Sequence, residues 1–453
     1  MRQLPEKFLQ QTREMMGSEL FERYLKAFEE EPPVSIRVNR FSEDSVASDE
    51  DETAMAMEAE AVPWCRGGYY LPSRPTFTFD PLLHAGCYYV QEASSMFLDH
   101  VLRHLSSPQL GGLRGASFLD LCAAPGGKST ILLSNLPEGS TLVSNEPNPK
   151  RAQILSENLQ KWQLSGLWPS KLKMKNEKLK VIVSNGFPKD IRKAKLTFDL
   201  ILCDVPCSGE GMFRKDADSI GEWSPENVEK CWRLQREIVA DAWACLRDGG
   251  HLIYSTCTLN TKENEENIRW MMEELDAEPV EIPVETDWRI TGSLLPDFTA
   301  PVYRFIPGLT RGEGLFMAVL RKKGDGKSKK IDLSRTSLKI IPNDFLNDLQ
   351  TAIEHDAPVV ELNYEQAIQY LRREAIVLPP ETPRGTVVVS HQNHPLGLAK
   401  NIGTRANNLY PKEWRIKSTY LPENQVKVIN TQHSTPITQK STPITYEAIF
   451  RHP

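Results

Sequence analysis

The sequence predicts an α/β fold built on a doubly wound parallel sheet, and three observations support this prediction. From about residue 116, short apolar strands alternate with amphipathic helical patterns, as repeated βαβ units require. The first of these strands runs through small residues into Gly126-Gly127, a turn that lets a ligand approach the backbone closely. The chain has 453 residues, 40% of them hydrophobic and 25% charged, so it is long enough for roughly two or three globular domains.

Hydrophobic patterning assigns the individual elements of this region. Strands are predicted at 117–121, 141–145, 181–184, 198–203, 251–255 and 315–320. Helices are predicted between them at about 128–135, 150–161, 225–247 and 261–275. Gly249-Gly250 is expected to end the longest helix and turn the chain into the next strand.

The flanking segments predict two further domains. A helical start leads into an alternating strand at 34–39, and another helix is expected at about 93–105. A polar, glycine-containing stretch at 322–334 is typical of a linker. We therefore expect a small N-terminal α/β domain, a Rossmann-like core and a C-terminal domain over residues 1–108, 109–325 and 335–453.

Composition excludes several classes of protein. No run approaches the roughly 18 apolar residues of a membrane-spanning helix, and the first seven residues lack the apolar region of a secretory signal. Eight cysteines are too few for a disulfide scaffold in a chain of this length. We therefore expect a cytoplasmic protein with reduced thiols and no membrane partner.

Charge is unevenly distributed along the chain. The net charge is −6, yet residues 161–195 carry ten Lys/Arg against two acids, whereas residues 42–60 carry eight acids and no base. A local basic stretch can bind phosphates on an acidic protein because salt screening keeps the effect local. The same stretch also fits a solvated lysine-rich loop, and the acidic run is typical of a mobile loop.

The strongest motif lies after the first predicted strand and favours a nucleoside ligand. Its end imitates a phosphate-binding P-loop, but Cys122 occupies the position where a P-loop requires glycine. Glu146 ends the second strand, where an acid can hold the two hydroxyls of a ribose. Asn185 follows the third strand and could reach an adenine edge, and Asp204 follows the fourth. A nucleoside site without phosphate recognition fits S-adenosylmethionine.

Two cysteines follow neighbouring strands of the predicted sheet. Cys207 comes shortly after the fourth strand and Cys257 after the fifth, so both are expected at the ligand-binding edge. Asn260 and Glu263 resemble a capping box, and a helix start beside Cys257 would favour its thiolate. A disulfide, a zinc site and burial in the core are the competing interpretations. A reducing compartment disfavours the first, and the missing C-x₂-C or histidine cluster disfavours any metal. Burial suits four other cysteines better: Cys122, Cys203, Cys231 and Cys245.

These motifs together resemble a known family. The segments CAAPGGK (122–128), DVPCSG (204–209) and STC (255–257) are similar to those of the Nop/Sun RNA cytosine-5 methyltransferases. The segments YVQEASS (89–95) and PLGLAK…RANNLYP (395–411) are similar to the bacterial small-subunit rRNA methyltransferase F group. The resemblance covers nearly the whole chain and implies a class I methyltransferase core followed by a PUA-like RNA-binding module.

The resemblance also implies the roles of individual residues. Cys257 would be the nucleophile that adds to carbon 6 of cytosine, and Cys207 would assist its release. Asp204 would stabilise the intermediate as a hydrogen-bonded acid against ring nitrogen 3, and Lys128 would contact the base or the cofactor. Many members have Asp where this chain has Asn185. Ten residues would line the S-adenosylmethionine site: Cys122, Ala123, Ala124, Pro125, Gly126, Gly127, Lys128, Glu146, Asn185 and Asp204.

The implied substrate is small-subunit (16S) ribosomal RNA, free or within the 30S particle, opened so that the target cytidine can leave its stack. A tRNA cytosine-5 methyltransferase and a catalytically idle RNA-binding ribosome-assembly factor remain alternatives. Residues 391–417 carry five Lys/Arg against one acid, with Tyr410 and Trp414 interleaved, as expected of an RNA-binding surface. A module that only braces the core is the other interpretation of this segment. We expect a monomer.

Overall fold

The computed structural model describes residues 4–39, 58–106, 115–137, 139–165, 179–326, 331, 337–418 and 420–429. Most of the acidic run 42–60 and the central part of the basic stretch 161–195 lie outside the described residues.

The N-terminal region forms a small antiparallel sheet between helices. Its elements are α1 (Glu6–Lys26), β1 (Val34–Val38), β2 (Glu60–Ala61), β3 (Gly68–Leu71), α2 (Pro81–His84), β4 (Tyr88–Val90) and α3 (Phe97–Leu105). The strand order is β2-β3-β1-β4. The predicted strand at 34–39 is confirmed, and the helix expected at about 93–105 begins at Phe97 after a short 3-10 turn over Ser94–Met96.

The central sheet confirms the doubly wound fold class. Its elements are β5 (Ser117–Asp120), α4 (Gly127–Asn135), β6 (Thr141–Asn145), α5 (Pro149–Leu164), β7 (Lys180–Asn185), α6 (Pro188–Lys193), β8 (Phe198–Asp204), α7 (Ala217–Glu222), α8 (Pro225–Cys245), β9 (Leu246–Thr256), α9 (Glu265–Glu274), β10 (Ala277–Pro279), β11 (Tyr303–Phe305), β12 (Leu315–Lys322) and β13 (Lys339–Ile341). Strands β7-β6-β5-β8-β9 are parallel in this order, while β12 pairs antiparallel with β9 and β13 with β7.

The sheet is buried on both faces, which explains its continuous apolar strands. Phe118 of β5 belongs to one hydrophobic core and its neighbour Leu119 to the core on the opposite face, and both are buried. Helix starts carry the expected caps: the Asn148 side chain accepts hydrogen bonds from the Lys150 and Arg151 amides, and Ser224 accepts one from Asn227. The strands that form the site are therefore held rigidly.

One predicted helix end and the predicted start of the linker were wrong. The helix predicted over 225–247 ends at Cys245, and Gly249 lies inside β9, where the pairing register with β8 shifts between Phe198 and Leu200. Gly249 has a φ of 75°, and a Cβ there would lie 2.8 Å from the Gly324 carbonyl oxygen. Gly249 thus allows a bulge in strand β9 and does not end the preceding helix. The linker predicted from 322 also begins later, because β12 continues to Lys322.

The C-terminal region forms a third sheet. Its elements are α10 (Asp344–Glu354), β14 (Val359–Glu361), α11 (Tyr364–Leu371), β15 (Gly385–His391), β16 (His394–Asn401) and β17 (Ala406–Asn408), with strand order β14-β15-β16-β17. This sheet shares one hydrophobic core with the N-terminal sheet, as Val387 and Ile36 illustrate. The C-terminal region also begins with β13, which extends the central sheet. No helix among the described residues is both long and apolar enough to cross a membrane.

Candidate active site

The predicted site residues converge on one edge of the central sheet. The five parallel strands end at this edge, and the strand order reverses between β5 and β8, where such sheets form a crevice. Asp120 ends β5 and Asp204 ends β8, so these two acids flank the crevice. Glu146 directly follows β6, and Asn185 ends β7. The topology therefore brings Asp120 and Asp204, which are 84 positions apart in the sequence, to the same crevice.

The turn after β5 approaches its neighbours closely. Gly126 has a φ of 115°, and Gly127 begins α4. A Cβ on Gly127 would lie 3.3 Å from the Gln91 side-chain nitrogen, so the N-terminal end of α4 leaves little space for a side chain. Backbone amides at a helix start favour negatively charged ligand groups.

Lys128 and Asp204 form an ion pair inside the crevice. The Lys128 ammonium donates to the Asp204 carboxylate at 2.8 Å, and both side chains are largely shielded from solvent. Burial alone would lower the pKa of Lys128, but the Asp204 carboxylate outweighs it and the pKa lies above its ordinary value. Lys128 is therefore charged and has protons to donate within the pocket.

Glu146 is buried beside the turn. One carboxylate oxygen accepts a hydrogen bond from the Asn148 amide at 2.9 Å, and Arg151 lies 3.7 Å from the other. Arg151 also donates to the Ala124 carbonyl at 2.7 Å, which links the loop after β6 to the turn after β5. The predicted ribose acid and the predicted glycine turn thus belong to one connected structure.

Asn185 lies at the same edge, but its side-chain amide is engaged. It donates to the Glu146 carbonyl at 2.8 Å and to the Pro147 carbonyl at 3.0 Å. These bonds brace the loop that carries Glu146. The side-chain oxygen of Asn185 remains the atom through which an adenine contact would be made.

Cys207 and Cys257 are neighbours in space. Their sulfur atoms lie 3.2 Å apart, longer than the roughly 2.05 Å of a disulfide bond, so both are free thiols. The pKa of Cys207 is raised well above its ordinary value, first by its hydrogen bond to Cys257 and then by burial. The raised pKa favours the protonated form of Cys207, and either sulfur can donate the hydrogen bond between the two thiols.

The helix start predicted beside Cys257 was wrong. Helix α9 begins at Glu265, and a turn over residues 261–264 precedes it. The Asn260 side-chain oxygen accepts a hydrogen bond from the Glu263 backbone amide at 2.9 Å, as a capping box requires. The Asn260 backbone amide, however, donates to the Glu210 carboxylate instead of to Glu263. The helix dipole therefore does not act directly on Cys257.

A pocket of about 190 Å³ contains residues that the predictions did not place in the site. Besides the turn, Lys128 and Asp204, it is lined by Tyr89, Val90, Gln91, Glu92, Ser95 and Asp120. Five of these belong to the YVQEASS motif of the N-terminal region, whose resemblance to the family was the available signal. The N-terminal region therefore lines part of the crevice.

Gln91 and Asp120 are the most strongly constrained of these added residues. Arg37 donates to the Gln91 side-chain oxygen at 3.1 Å, which turns the Gln91 amide nitrogen towards Gly127. Asp120 is fully buried; burial raises its pKa to about 7, and the Ser129 hydroxyl donates to one of its oxygens at 2.6 Å. The other oxygen is buried without a hydrogen-bond partner among the described residues.

The remaining predictions for cysteines and aromatic residues had mixed outcomes. Cys203 and Cys245 are buried as expected, whereas Cys122 and Cys231 are only partly buried. Tyr410 was predicted to contribute to an RNA-binding surface, and this was wrong. Its ring is buried in the core shared by the N- and C-terminal sheets, against Tyr370. Trp414 is partly exposed and packs edge-on against Phe345.

Comparison with family models covers all three regions of the chain. The model of the 16S rRNA methyltransferase RsmB/F family matches residues 110–321. The model of the N-terminal domain of 16S rRNA methyltransferase RsmF matches residues 4–93, and that of the methyltransferase RsmF PUA domain matches residues 357–416. The chain belongs to the RsmF-like Nop/Sun methyltransferases. The predicted fold, with a Rossmann-like methyltransferase core and a C-terminal PUA domain, is confirmed.

Full-length relatives share this organisation. The chain is 27% identical to the ribosomal RNA small subunit methyltransferase F of Erwinia tasmaniensis, over 90% of this chain and 96% of the relative. It is 28% identical to the protein of that name from Shigella flexneri serotype 5b, again over 90% and 96%. The protein of that name from Aliivibrio fischeri is 27% identical over 90% of this chain and 97% of its own.

Solved structures show the same fold. A methyltransferase homologue from Pyrococcus horikoshii has a TM-score of 0.53 and 24% identity, covering 70% of this chain and 100% of its own. The NSun6 protein from Pyrococcus horikoshii, solved with SFG, has a TM-score of 0.52 and 20% identity, covering 71% of this chain and 99% of its own. The fold of the RsmF-like core is therefore also found in solved structures.

Proposed function

We propose that this RsmF-like protein transfers a methyl group from S-adenosylmethionine to carbon 5 of a cytidine in 16S ribosomal RNA, through a covalent bond between Cys257 and carbon 6. The observation that carries the proposal is the juxtaposition of the Cys207–Cys257 pair with the Lys128–Asp204 ion pair at one sheet edge. The relatives named above as small-subunit rRNA methyltransferases support the substrate class.

The residues of the crevice fit S-adenosylmethionine. The buried Asp120 oxygen without a partner suits an ammonium group, and the amides at the start of α4 suit a carboxylate. Glu146, at the end of β6, suits the ribose hydroxyls. Gly126 and Gly127 allow the ligand to lie against the backbone. When bound, the cofactor supplies an electrophilic methyl group to carbon 5 of the activated ring.

The chain's own residues activate the ring and release it. The Cys257 thiolate adds to carbon 6, which turns carbon 5 into the nucleophile of an enamine. Asp204, as a hydrogen-bonded acid, stabilises the charge at ring nitrogen 3, and Lys128 supplies the neighbouring proton source. After methyl transfer a base removes the proton from carbon 5, the carbon–sulfur bond breaks, and Cys257 regains its electron pair. Cys207 assists this release.

The test of the proposal is methyl transfer to defined RNA. Purified protein is mixed with labelled S-adenosylmethionine and, in separate reactions, with 16S rRNA, 30S particles and bulk tRNA, and bisulfite sequencing then locates 5-methylcytosine. Methylation of one or a few cytidines in the ribosomal substrates supports the proposal. Label found only in tRNA would support a tRNA methyltransferase. Absence of label from every RNA, with intact cofactor binding, would indicate an assembly factor.

A further inference from the structure

Glu263 is a fully buried carboxylate that no step above uses. Its four hydrogen-bond donors are all uncharged: the Ser208 hydroxyl and the Asn260 amide nitrogen, at 2.5 and 2.8 Å, bind one oxygen. The Ser208 backbone amide and the Gln235 side-chain nitrogen, at 3.1 and 2.6 Å, bind the other. No ion pair of Glu263 occurs among the residues that the structure describes. These hydrogen bonds alone compensate the burial of the Glu263 carboxyl group, so the loops that supply the donors are tied to it.

The partners of Glu263 belong to the two loops that carry the cysteines. Ser208 directly follows Cys207, and Asn260 lies in the loop after Cys257. The residues after each cysteine are also bonded to each other, because the Ser208 and Thr258 hydroxyls lie 2.8 Å apart. The thiol pair and the hydroxyl pair thus form two adjacent contacts between the loops. Glu263 holds Ser208, one residue of the hydroxyl pair, because it accepts hydrogen bonds from both the Ser208 hydroxyl and the Ser208 backbone amide.

Helix α8 fixes the other end of this network. Gln235 donates to the Pro206 carbonyl as well as to Glu263, and its own oxygen accepts from Asn267 at 2.9 Å. Burial raises the pKa of Glu263 to about 7, while the bonds from Ser208, Asn260 and Gln235 lower it. After the bond to Cys257 and burial, the nearby Glu263 charge further raises the pKa of Cys207. The carboxylate thus acts on the position of Cys207 and on its proton.

We propose that Glu263 is a positioning residue for the thiol pair: its carboxylate fixes Ser208 and thereby keeps Cys207 within reach of the Cys257 sulfur for release of the methylated RNA. The kinetic consequence rests on the proposed function, whereas the distance between the two sulfur atoms does not. Replacing Glu263 by glutamine turns one of the two oxygens into an NH2 group that faces two of the four donors, so at least part of the network must break.

The first arm of the test needs no RNA. Mild oxidation with diamide is expected to close a disulfide between Cys207 and Cys257 in the wild-type protein, because their sulfur atoms lie 3.2 Å apart, and mass spectrometry of the linked peptides measures the rate. Glu263→Gln is expected to slow closure roughly tenfold. Glu265→Gln is the matched control, because Glu265 is equally buried but pairs with Arg304 and does not touch Ser208. Closure at the wild-type rate in folded Glu263→Gln would overturn the proposal.

The second arm follows the reaction. Glu263→Gln is expected to form the RNA adduct through Cys257 but to release it roughly tenfold more slowly, so a denaturing gel shows accumulated adduct. In another outcome, Glu263→Gln slows adduct formation and adduct release equally, to the same extent as Glu265→Gln, and lowers the melting temperature. This result would indicate a structural role only and overturn the proposal. If wild-type protein methylates no RNA, the proposed function fails, and the oxidation arm still decides the positioning role.

Ser208→Ala keeps the inference testable should Glu263→Gln fail to fold. This variant removes the hydroxyl that bridges Glu263 and Thr258 but adds no buried donor. Slower disulfide closure and slower adduct release are expected, and a double variant with Glu263→Gln should add little to either effect because both changes break one network. Additive effects, or no effect of Ser208→Ala on either measurement, would contradict the proposed network.

Discussion

The Lys128 ammonium in the first turn of α4 lies 2.8 Å from the Asp204 carboxylate at the end of β8. This ion pair joins the glycine turn before α4 to the strand that leads into the loop of Cys207. Lys128 is charged and largely shielded from water, so in the proposed mechanism its ammonium is the hydrogen-bond donor that water does not replace. Lys128→Met is expected to lower the single-turnover rate of methyl transfer by roughly 10²–10⁴-fold at saturating cofactor. Lys193→Met is the control, because Lys193 is exposed at the end of α6, at the sheet edge opposite the crevice. A rate within threefold of wild type would remove Lys128 from the chemistry.

Glu146 is expected to contribute to cofactor affinity. Glu146→Ala removes a buried carboxylate beside the turn and should weaken S-adenosylmethionine binding by roughly 1–3 kcal/mol, as measured by titration calorimetry. Glu273→Ala, an exposed acid on α9, should leave the affinity unchanged. Equal affinity in the two variants would exclude Glu146 from the ribose site.

Asp120 should make stability depend on pH in a defined direction. Its pKa is about 7 in the folded protein, raised by burial from 3.8, so the folded state holds this proton more tightly than the unfolded state. Its contribution to stability is therefore full below about pH 4 and is lost as the pH rises towards 7. Relative to wild type, Asp120→Asn should gain on the order of 1–4 kcal/mol of unfolding free energy between pH 4 and pH 8. Urea unfolding at both pH values measures this difference, and an identical pH dependence in the two proteins would contradict it.

The C-terminal region is expected to bind RNA through charge. Lys412 and Arg415 are exposed on either side of Trp414. Lys412→Glu with Arg415→Glu should weaken RNA binding roughly tenfold and reduce the salt slope by about 1.4, the value for two lost phosphate contacts to a single strand. Lys26→Glu with Lys323→Glu, two exposed lysines outside both the C-terminal region and the basic stretch 161–195, is the matched control. Unchanged affinity and slope would leave this region as a brace for the core.

Truncation after Lys330 is less informative than these substitutions. The removed part includes β13, which extends the central sheet, and residues such as Val387 that complete the core of the N-terminal sheet. Such a truncation should lower the melting temperature as well as RNA affinity. Charge reversal at exposed positions leaves that core intact and so separates the two effects.

The central sheet could be predicted from sequence because its strands are apolar on both faces and its helices carry caps such as Asn148 and Ser224. The convergence of Asp204, Cys207 and Cys257 followed from strand order alone. The role of Gly249 could not be predicted, because a positive φ suits a strand bulge and a helix end equally. Tyr410 was misplaced since its burial depends on packing against the distant residue Tyr370, which local charge pattern does not reveal.

The local sequence pattern also could not predict that the N-terminal region lines the pocket. Gln91 reaches the crevice because Arg37, from another strand, holds its side-chain oxygen. Such contacts join residues far apart in sequence and depend on how the N-terminal sheet packs on α4. For the same reason the four-donor network of Glu263 was taken for a helix cap.

The covalent mechanism is tested most directly by trapping the RNA adduct in cysteine variants. Cys207→Ala should still attack carbon 6 and transfer the methyl group, but release stalls, so a band shifted on a denaturing gel appears and nuclease removes it. Cys257→Ala should neither methylate nor form an adduct, because the proposed mechanism assigns the attack on carbon 6 to Cys257 and gives the remaining thiol, Cys207, a role only in release. The double variant should show no adduct. An adduct in Cys257→Ala with none in Cys207→Ala would reverse the two roles, and wild-type methylation by both single variants would contradict the covalent mechanism.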